Sequence, residues 1–183
     1  MSPTLIVIIV IAVLVIIGIA LTVMRRREGE RLKQDFGPEY DRQVREAGGS
    51  EAKAQAELLK REKRVEKLDI RPLPPERRHA FAEDWQQVQA RFVDDPERSI
   101  ALADALVAEV MKARGYPVDD FEQRAGDISV DHPDVVQNYR AAHDIAMRRA
   151  QGKADTEDLR SAFLGYRNLF DELLRSDVPE LAH

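Results

Sequence analysis

The chain has 183 residues and no cysteine, with 28 Lys/Arg against 33 Asp/Glu for a formal net charge of −5. The missing thiols exclude disulfides, iron–sulfur clusters, Cys-ligated zinc and a thiol nucleophile. Residues 25–71 hold 14 basic against 11 acidic side chains and are net +3, whereas residues 72–183 hold 14 against 22 and are net −8; nucleic acid, which needs clustered Lys/Arg on its phosphates, is not an expected partner.

After a short tail over residues 1–4, the stretch Leu5–Met24 carries no charge and includes seven Ile and five Val. At about 1.5 Å of rise per residue, a helix of that length covers roughly 30 Å, the thickness of a bilayer's hydrocarbon. A lone strand would leave its backbone groups unpaired in lipid, so a single-pass transmembrane helix is predicted, with membrane lipid as the partner of residues 5–24. Arg25, Arg26 and Arg27 follow at once while nothing basic precedes, which places the N-terminus outside and the C-terminal domain on the cytoplasmic side of the cell membrane. A cleaved secretory signal would need a basic start and a small-residue cleavage site, and neither is present. Gly18 and Thr22 form a small-xxx-small pair and leave a homo-oligomer open.

Residues 25–74 read as a basic juxtamembrane stem suited to an anionic leaflet. The anchor helix can continue to Asp35 before Gly37 and Pro38, and Pro38–Ala47 reads as a short helix ended by Gly48 and Gly49. Ser50 is placed to cap a helix over Glu51–Leu68, rich in Ala, Glu, Lys and Arg. Its apolar positions Ala54, Leu58, Val65 and Leu68 keep a 3-4 rhythm, but Arg61 interrupts it, favouring a strut leaning on the domain over a coiled coil. The prolines at 72, 74 and 75 end that helix and mark the start of the domain over residues 75–176.

Pro75 opens a helix to about Val93 with Phe81, Trp85, Val88 and Phe92 on one face. Asp95 and Pro96 start a second, carrying Ile100, Ala103, Val107, Val110 and Met111 to Arg114, where Gly115 and Pro117 end it. Asp119 with Glu122 resembles a capping box for a short helix ending near Gly126, and Ile128–Val130 is too short to claim as a strand. Asp131 and Pro133 open a third long helix to about Ala150, with Val136, Tyr139, Ala142, His143 and Met147 along one side. Asp155 and Asp158 open the fourth, with Leu159, Ala162, Phe163, Tyr166, Phe170 and Leu173 facing inward. Residues 177–183, with Asp177 and Pro179, read as a frayed tail. Isolated helices of this length are marginal in water, so the stripes must bury one another.

Chemistry is sparse. His143 lies in an apolar stripe between Tyr139 and Met147, one turn to either side, but two neighbours on one helix cannot take opposite axial positions on a haem iron. His132 is about 16 Å away along the helix and cannot share a metal with it. The default for His143 is a hydrogen bond to a carboxylate or a Tyr hydroxyl in the bundle wall. Arg140 stands three residues before His143, where a di-iron bundle would need Glu. No zinc-protease, nucleophile-elbow, P-loop or dinucleotide motif is present.

From Phe36-Gly37-Pro38-Glu39-Tyr40 through Trp85-Gln86-Gln87-Val88-Gln89, Phe92-Val93-Asp94-Asp95-Pro96, Arg114-Gly115-Tyr116-Pro117, Tyr139-Arg140-Ala141-Ala142-His143 and Glu157-Asp158-Leu159-Arg160, the chain resembles uncharacterised bacterial proteins described as hypothetical membrane or secreted proteins. The resemblance implies a shared fold and carries no activity, cofactor or catalytic residue.

The sequence therefore predicts an all-α protein: a transmembrane helix, a charged helical stem and an antiparallel bundle of about four helices. Its expected function is a membrane-anchored binding or scaffolding module at the cytoplasmic face, with an unidentified protein partner and no assigned catalytic residue, metal or cofactor. The alternatives are a small-ligand or enzymatic pocket near His143, Tyr139 and Tyr166, and an extracytoplasmic envelope component.

Overall fold

The computed structural model describes the backbone of residues 3–175 and the side chains of residues 12–175; the expected C-terminal tail lies outside the described residues. Among the described residues the chain is helical throughout, with no strand: α1 (Pro3–Phe36), α2 (Pro38–Glu46), α3 (Glu51–Val65), α4 (Pro75–Arg91), α5 (Pro96–Arg114), α6 (Phe121–Asp131), α7 (Pro133–Ala150) and α8 (Thr156–Arg175). Beyond α1, four of these, α2, α4, α5 and α7, begin on proline, whose fixed φ suits the first turn and whose missing N–H would have had no acceptor there. Side chains close several starts, at α5 in addition to its proline. Ser50 accepts from the Lys53 amide at 3.4 Å and Asp95 from the Arg98 amide at 3.1 Å. Asp155 and Asp158 exchange reciprocal bonds of 2.8 and 3.2 Å at the head of α8.

The main core lies among α4, α5, α7 and α8, with Val107, Val110, Met111, Tyr139, Tyr166 and Leu169 wholly buried. Trp85 stacks between Phe163 and Phe170, with ring centroids 5.2 and 4.6 Å away. Helices α7 and α8 approach closely at Gly165, where a Cβ would fall 2.5 Å from the Asn138 carbonyl oxygen and 2.9 Å from the Ala142 Cβ. At the end of α5, Gly115 takes a left-handed φ of 103°, and a Cβ there would strike the Asp69 carbonyl of the strap leading into the bundle. The same strap is tied by the Arg71 amide to the Arg114 carbonyl at 2.9 Å.

The stem forms a second, smaller core from Leu32, Phe36, Tyr40 and Leu58, with Val130 of α6 packed on it. Helix α3 thus leans on α1 and α6 as a strut, and Arg31 clasps Glu62 through two bonds of 3.0 and 2.8 Å. The apolar stretch and the first stem segment are one unbroken helix of 34 residues. Among the described residues no helix is long and apolar enough to cross a membrane. The expected span Leu5–Met24 falls in part on residues 5–11, whose side chains lie outside the described set.

Three local expectations are corrected. Asp120, in extended backbone, is the N-cap of α6 and accepts from the Gln123 amide at 2.8 Å, displacing Asp119 from that role. Helix α6 does not stop at Gly126 but runs to Asp131. Its fully buried Ile128 supplies the packing that overrides the weak helix propensity of glycine. Asp131 caps nothing at α7, whose N-cap is His132 without a side-chain bond; it accepts instead from the Tyr116 hydroxyl at 2.5 Å.

Candidate functional site

His143, Tyr139 and Tyr166 are joined by rings rather than by hydrogen bonds. His143 stacks on Phe121 of α6 with centroids 3.5 Å apart, Phe121 meets Tyr139 at 5.1 Å, and Tyr139 meets Tyr166 edge-on at 5.9 Å. Among the described residues no side-chain hydrogen bond engages His143, so the expected carboxylate or Tyr partner is absent there. Both tyrosines are wholly buried, and neither hydroxyl makes a well-formed hydrogen bond, with Arg124 the polar neighbour of Tyr139 and Asp104 that of Tyr166. Burial pushes both phenols well above the usual tyrosine range. With Phe121 the three rings form one stack running from α6 through α7 to α8.

The strongest electrostatic feature lies elsewhere. Glu39 at the start of α2 is fully buried, and one of its carboxylate oxygens, Oε1, accepts from three guanidinium groups: Arg61 at 2.9 Å, Arg140 at 3.1 Å and Arg42 at 3.3 Å. Arg61 also donates to Gln43, and Arg140 to Glu122 of α6 at 2.6 Å. Beside this cluster Arg64 donates to the buried Asp127 at 2.7 Å. The result is a knot of charge tying α2 and α3 of the stem to α6 and α7 of the bundle. Charges removed from water need such mutual pairing, and their value is in fixing one docking arrangement more than in raw stability. Gly126 lies against the knot, where a Cβ would meet Arg61 Nε at 3.4 Å, in ordinary van der Waals contact. Arg61 was legible as a misfit in an apolar stripe and Arg140 as a misfit near His143. Their shared partner Glu39 was not legible, because it lies 22 and 101 positions away in the chain.

A cleft of about 570 Å³ opens where α3, the strap, and the α6–α7 corner meet, with Arg114, Tyr116, Asp131 and His132 in its wall. These four side chains are already engaged. Tyr116 donates to Asp131, and His132 Nδ1 lies 3.2 Å from Glu172. Arg114 donates to the Leu173 carbonyl at 2.5 Å. Burial, reinforced by the Arg114 charge, holds the His132 pKa below its ordinary value, and burial raises the Tyr116 phenol. This wall is a hydrogen-bonded buttress for the corner.

A different cleft, about 510 Å³, lies between α1 and the start of α3. Arg25, Arg26 and Lys33 line it from α1, Tyr40 from α2, and Ala52 and Gln55 from α3. Gln55 Nε2 donates to the Tyr40 hydroxyl at 3.0 Å. Glu30 and Glu51 also line it, so the cleft carries three cations against two carboxylates. Of the basic residues flanking the apolar stretch, Arg25 and Arg26 reach this cleft; Arg27 is exposed and is not part of its lining. Among the described residues no cluster of His, Asp and Glu could hold a metal ion. The chain matches no protein-family model, no curated protein and no solved structure.

Proposed function

We propose that the protein is a single-pass membrane-anchored helical module whose bundle stands at the cytoplasmic face and binds other proteins there. The observation that carries this reading is the contrast within α1. From Val13 to Met24 its large apolar side chains are 43–66% exposed, whereas Leu32 and Phe36 of the same helix are completely or almost completely buried. Fully covering a side chain of this size is worth roughly 1.5–3 kcal/mol, so a row of them left in water would be strongly unfavourable, and hydrocarbon removes the penalty. The one hydroxyl in this row is satisfied within the helix, Thr22 donating to the Ile19 carbonyl at 2.7 Å, as a lipid-facing hydroxyl must be. Arg25, Arg26 and Arg27 at the end of the row support the cytoplasmic placement of the bundle.

Membranes washed at alkaline pH test the anchor: the chain is expected to stay with the lipid, and release into the wash overturns it. For orientation, the absence of native cysteine allows a single Val93→Cys, at a position 84% exposed, to be probed with an impermeant thiol reagent. Labelling only after the cells are opened is expected; labelling of intact cells places the bundle outside. Binding of partners is tested by crosslinking in membranes, where recovery of only lipid and free monomer across growth conditions defeats the scaffolding role.

A further inference from the structure

We propose that the cleft between α1 and α3 is a specific seat for the headgroup of an anionic phospholipid with a hydroxylated headgroup, of the phosphatidylglycerol type. The inference rests on the membrane-anchored reading and adds a ligand to it. Its first support is position. Arg25 follows Met24 directly, and Arg25 to Gly29 spans about 6 Å of helix, which matches a headgroup layer of roughly 5–8 Å beyond the hydrocarbon. The cleft therefore opens at the depth where lipid phosphates lie.

The second support is charge without a partner. Among the described residues no ion pair engages Arg25, Arg26 or Lys33, although Arg31 and Arg42 on neighbouring turns are paired. Three unpaired cations on one side of a concave surface suit a phosphate. Helix α3 adds to this, because its first amides, at Glu51 and Ala52, have no intrahelical acceptor and its positive end faces the same space. The third support is the pair of carboxylates. Glu30 and Glu51 would repel a bare anion, but they accept hydrogen bonds from the hydroxyls of a glycerol headgroup whose phosphate sits on the cations. A choline headgroup offers no donor, and an ethanolamine headgroup, which does, is net neutral and leaves the cleft's excess positive charge uncompensated, whereas phosphatidylglycerol cancels it.

The full-length chain in a neutral detergent is titrated with phosphatidylglycerol, phosphatidylethanolamine or phosphatidylcholine, and occupancy by the first lipid is read by native mass spectrometry. Phosphatidylglycerol is expected to bind tightest. A basic side chain near a lipid surface contributes about fivefold in affinity, so Arg26→Gln with Lys33→Gln should weaken it about thirtyfold. Ala52→Phe, at an exposed position, fills the cleft without changing charge and should remove the preference. Lys60→Gln with Lys63→Gln removes the same charge from the outer face of α3 and should stay within about twofold. Thermal melting checks that each variant is folded.

Equal weakening by the two double variants would reduce the effect to diffuse attraction and overturn the proposal. So would an unchanged preference in folded Ala52→Phe, or phosphatidylethanolamine binding as tightly. Displacement of the lipid by inorganic phosphate would make the cleft a free-anion site and overturn the lipid assignment. Fractionation of the same chain separates this from the anchor: a chain washed off membranes that still prefers phosphatidylglycerol loses the anchor and keeps the cleft. A chain retained in membranes with no preference loses the cleft alone.

Discussion

Replacing Glu39 by Gln removes one negative charge from the centre of the knot between stem and bundle, and the cost follows from what each guanidinium keeps. Arg140 retains Glu122 at 2.6 Å, and Arg42 retains Glu46 at 2.6 Å and Glu122 at 3.4 Å. Arg61, only 8% exposed, retains nothing but the Gln43 side chain. The variant therefore leaves essentially one buried cation without compensation, and breaking a buried pair from one side costs about 3–5 kcal/mol. The Gln oxygen still accepts a hydrogen bond, which places the expected loss near the lower end, about 3 kcal/mol. With a urea slope of roughly 2 kcal/mol per molar, the midpoint should fall by about 1.5 M in micelle-held protein followed by far-UV circular dichroism. The companion variant, Glu39→Leu with Arg61→Leu, replaces the pair by apolar groups and should recover most of the loss. A Glu39→Gln cost below about 1 kcal/mol, or a double variant no better than the single one, would refute the account of the knot as coupled buried charge.

Other consequences are as direct. Gly165→Ala should destabilise by about 1–3 kcal/mol, because its methyl meets backbone of α7 that cannot move aside; unchanged urea midpoints would contradict the close approach. Trp85→Ala should cost about 3–5 kcal/mol, as expected for emptying a stacked aromatic site, and the same lone Trp gives a fluorescence signal for unfolding in every other variant. Gly115→Ala should lose at least about 1 kcal/mol from its left-handed φ alone, with more from the Asp69 carbonyl, measured by thermal melting. His132 is held neutral in the fold while the unfolded chain takes up a proton near pH 6.5, so the unfolded state binds more protons between the folded pKa and that value. Stability should then fall as pH drops below about 6.5, and His132→Gln should flatten that slope; an identical pH profile in the variant would remove His132 as its source.

Much of the helical layout was legible because its signals are local. Pro38, Pro75, Pro96 and Pro133 each stand at the first position of a helix, and Ser50, Asp95 and Asp155 cap where a short polar side chain can reach amides three residues on. The inner face of α8 was readable from spacing alone, since a helix with a buried side must repeat apolar residues every three or four positions. Helix α6 was underread because its glycine looks like a breaker; the helix is held by Ile128 and by contacts to the stem that no local window contains. The same limit hid the stem's attachment. A carboxylate at the start of α2 and a guanidinium midway along α7 each look like ordinary surface charge until the fold brings them to 3.1 Å. The cleft at the foot of α1 was half legible: the arginines mark it, but its opposite wall comes from the start of α3, some twenty-five residues later.

The unbroken course of α1 gives the molecule a fixed azimuth. With one turn every 3.6 residues, each residue sets the next about 100° further around the axis, so a single alanine inserted between Met24 and Gly29 would swing the bundle by roughly that angle relative to the side chains above it. Four inserted residues would nearly restore the original bearing and raise the bundle by about 6 Å. Whatever holds the apolar row therefore fixes the bearing of the bundle through the helical phase of α1, which behaves as a keyed shaft rather than a tether.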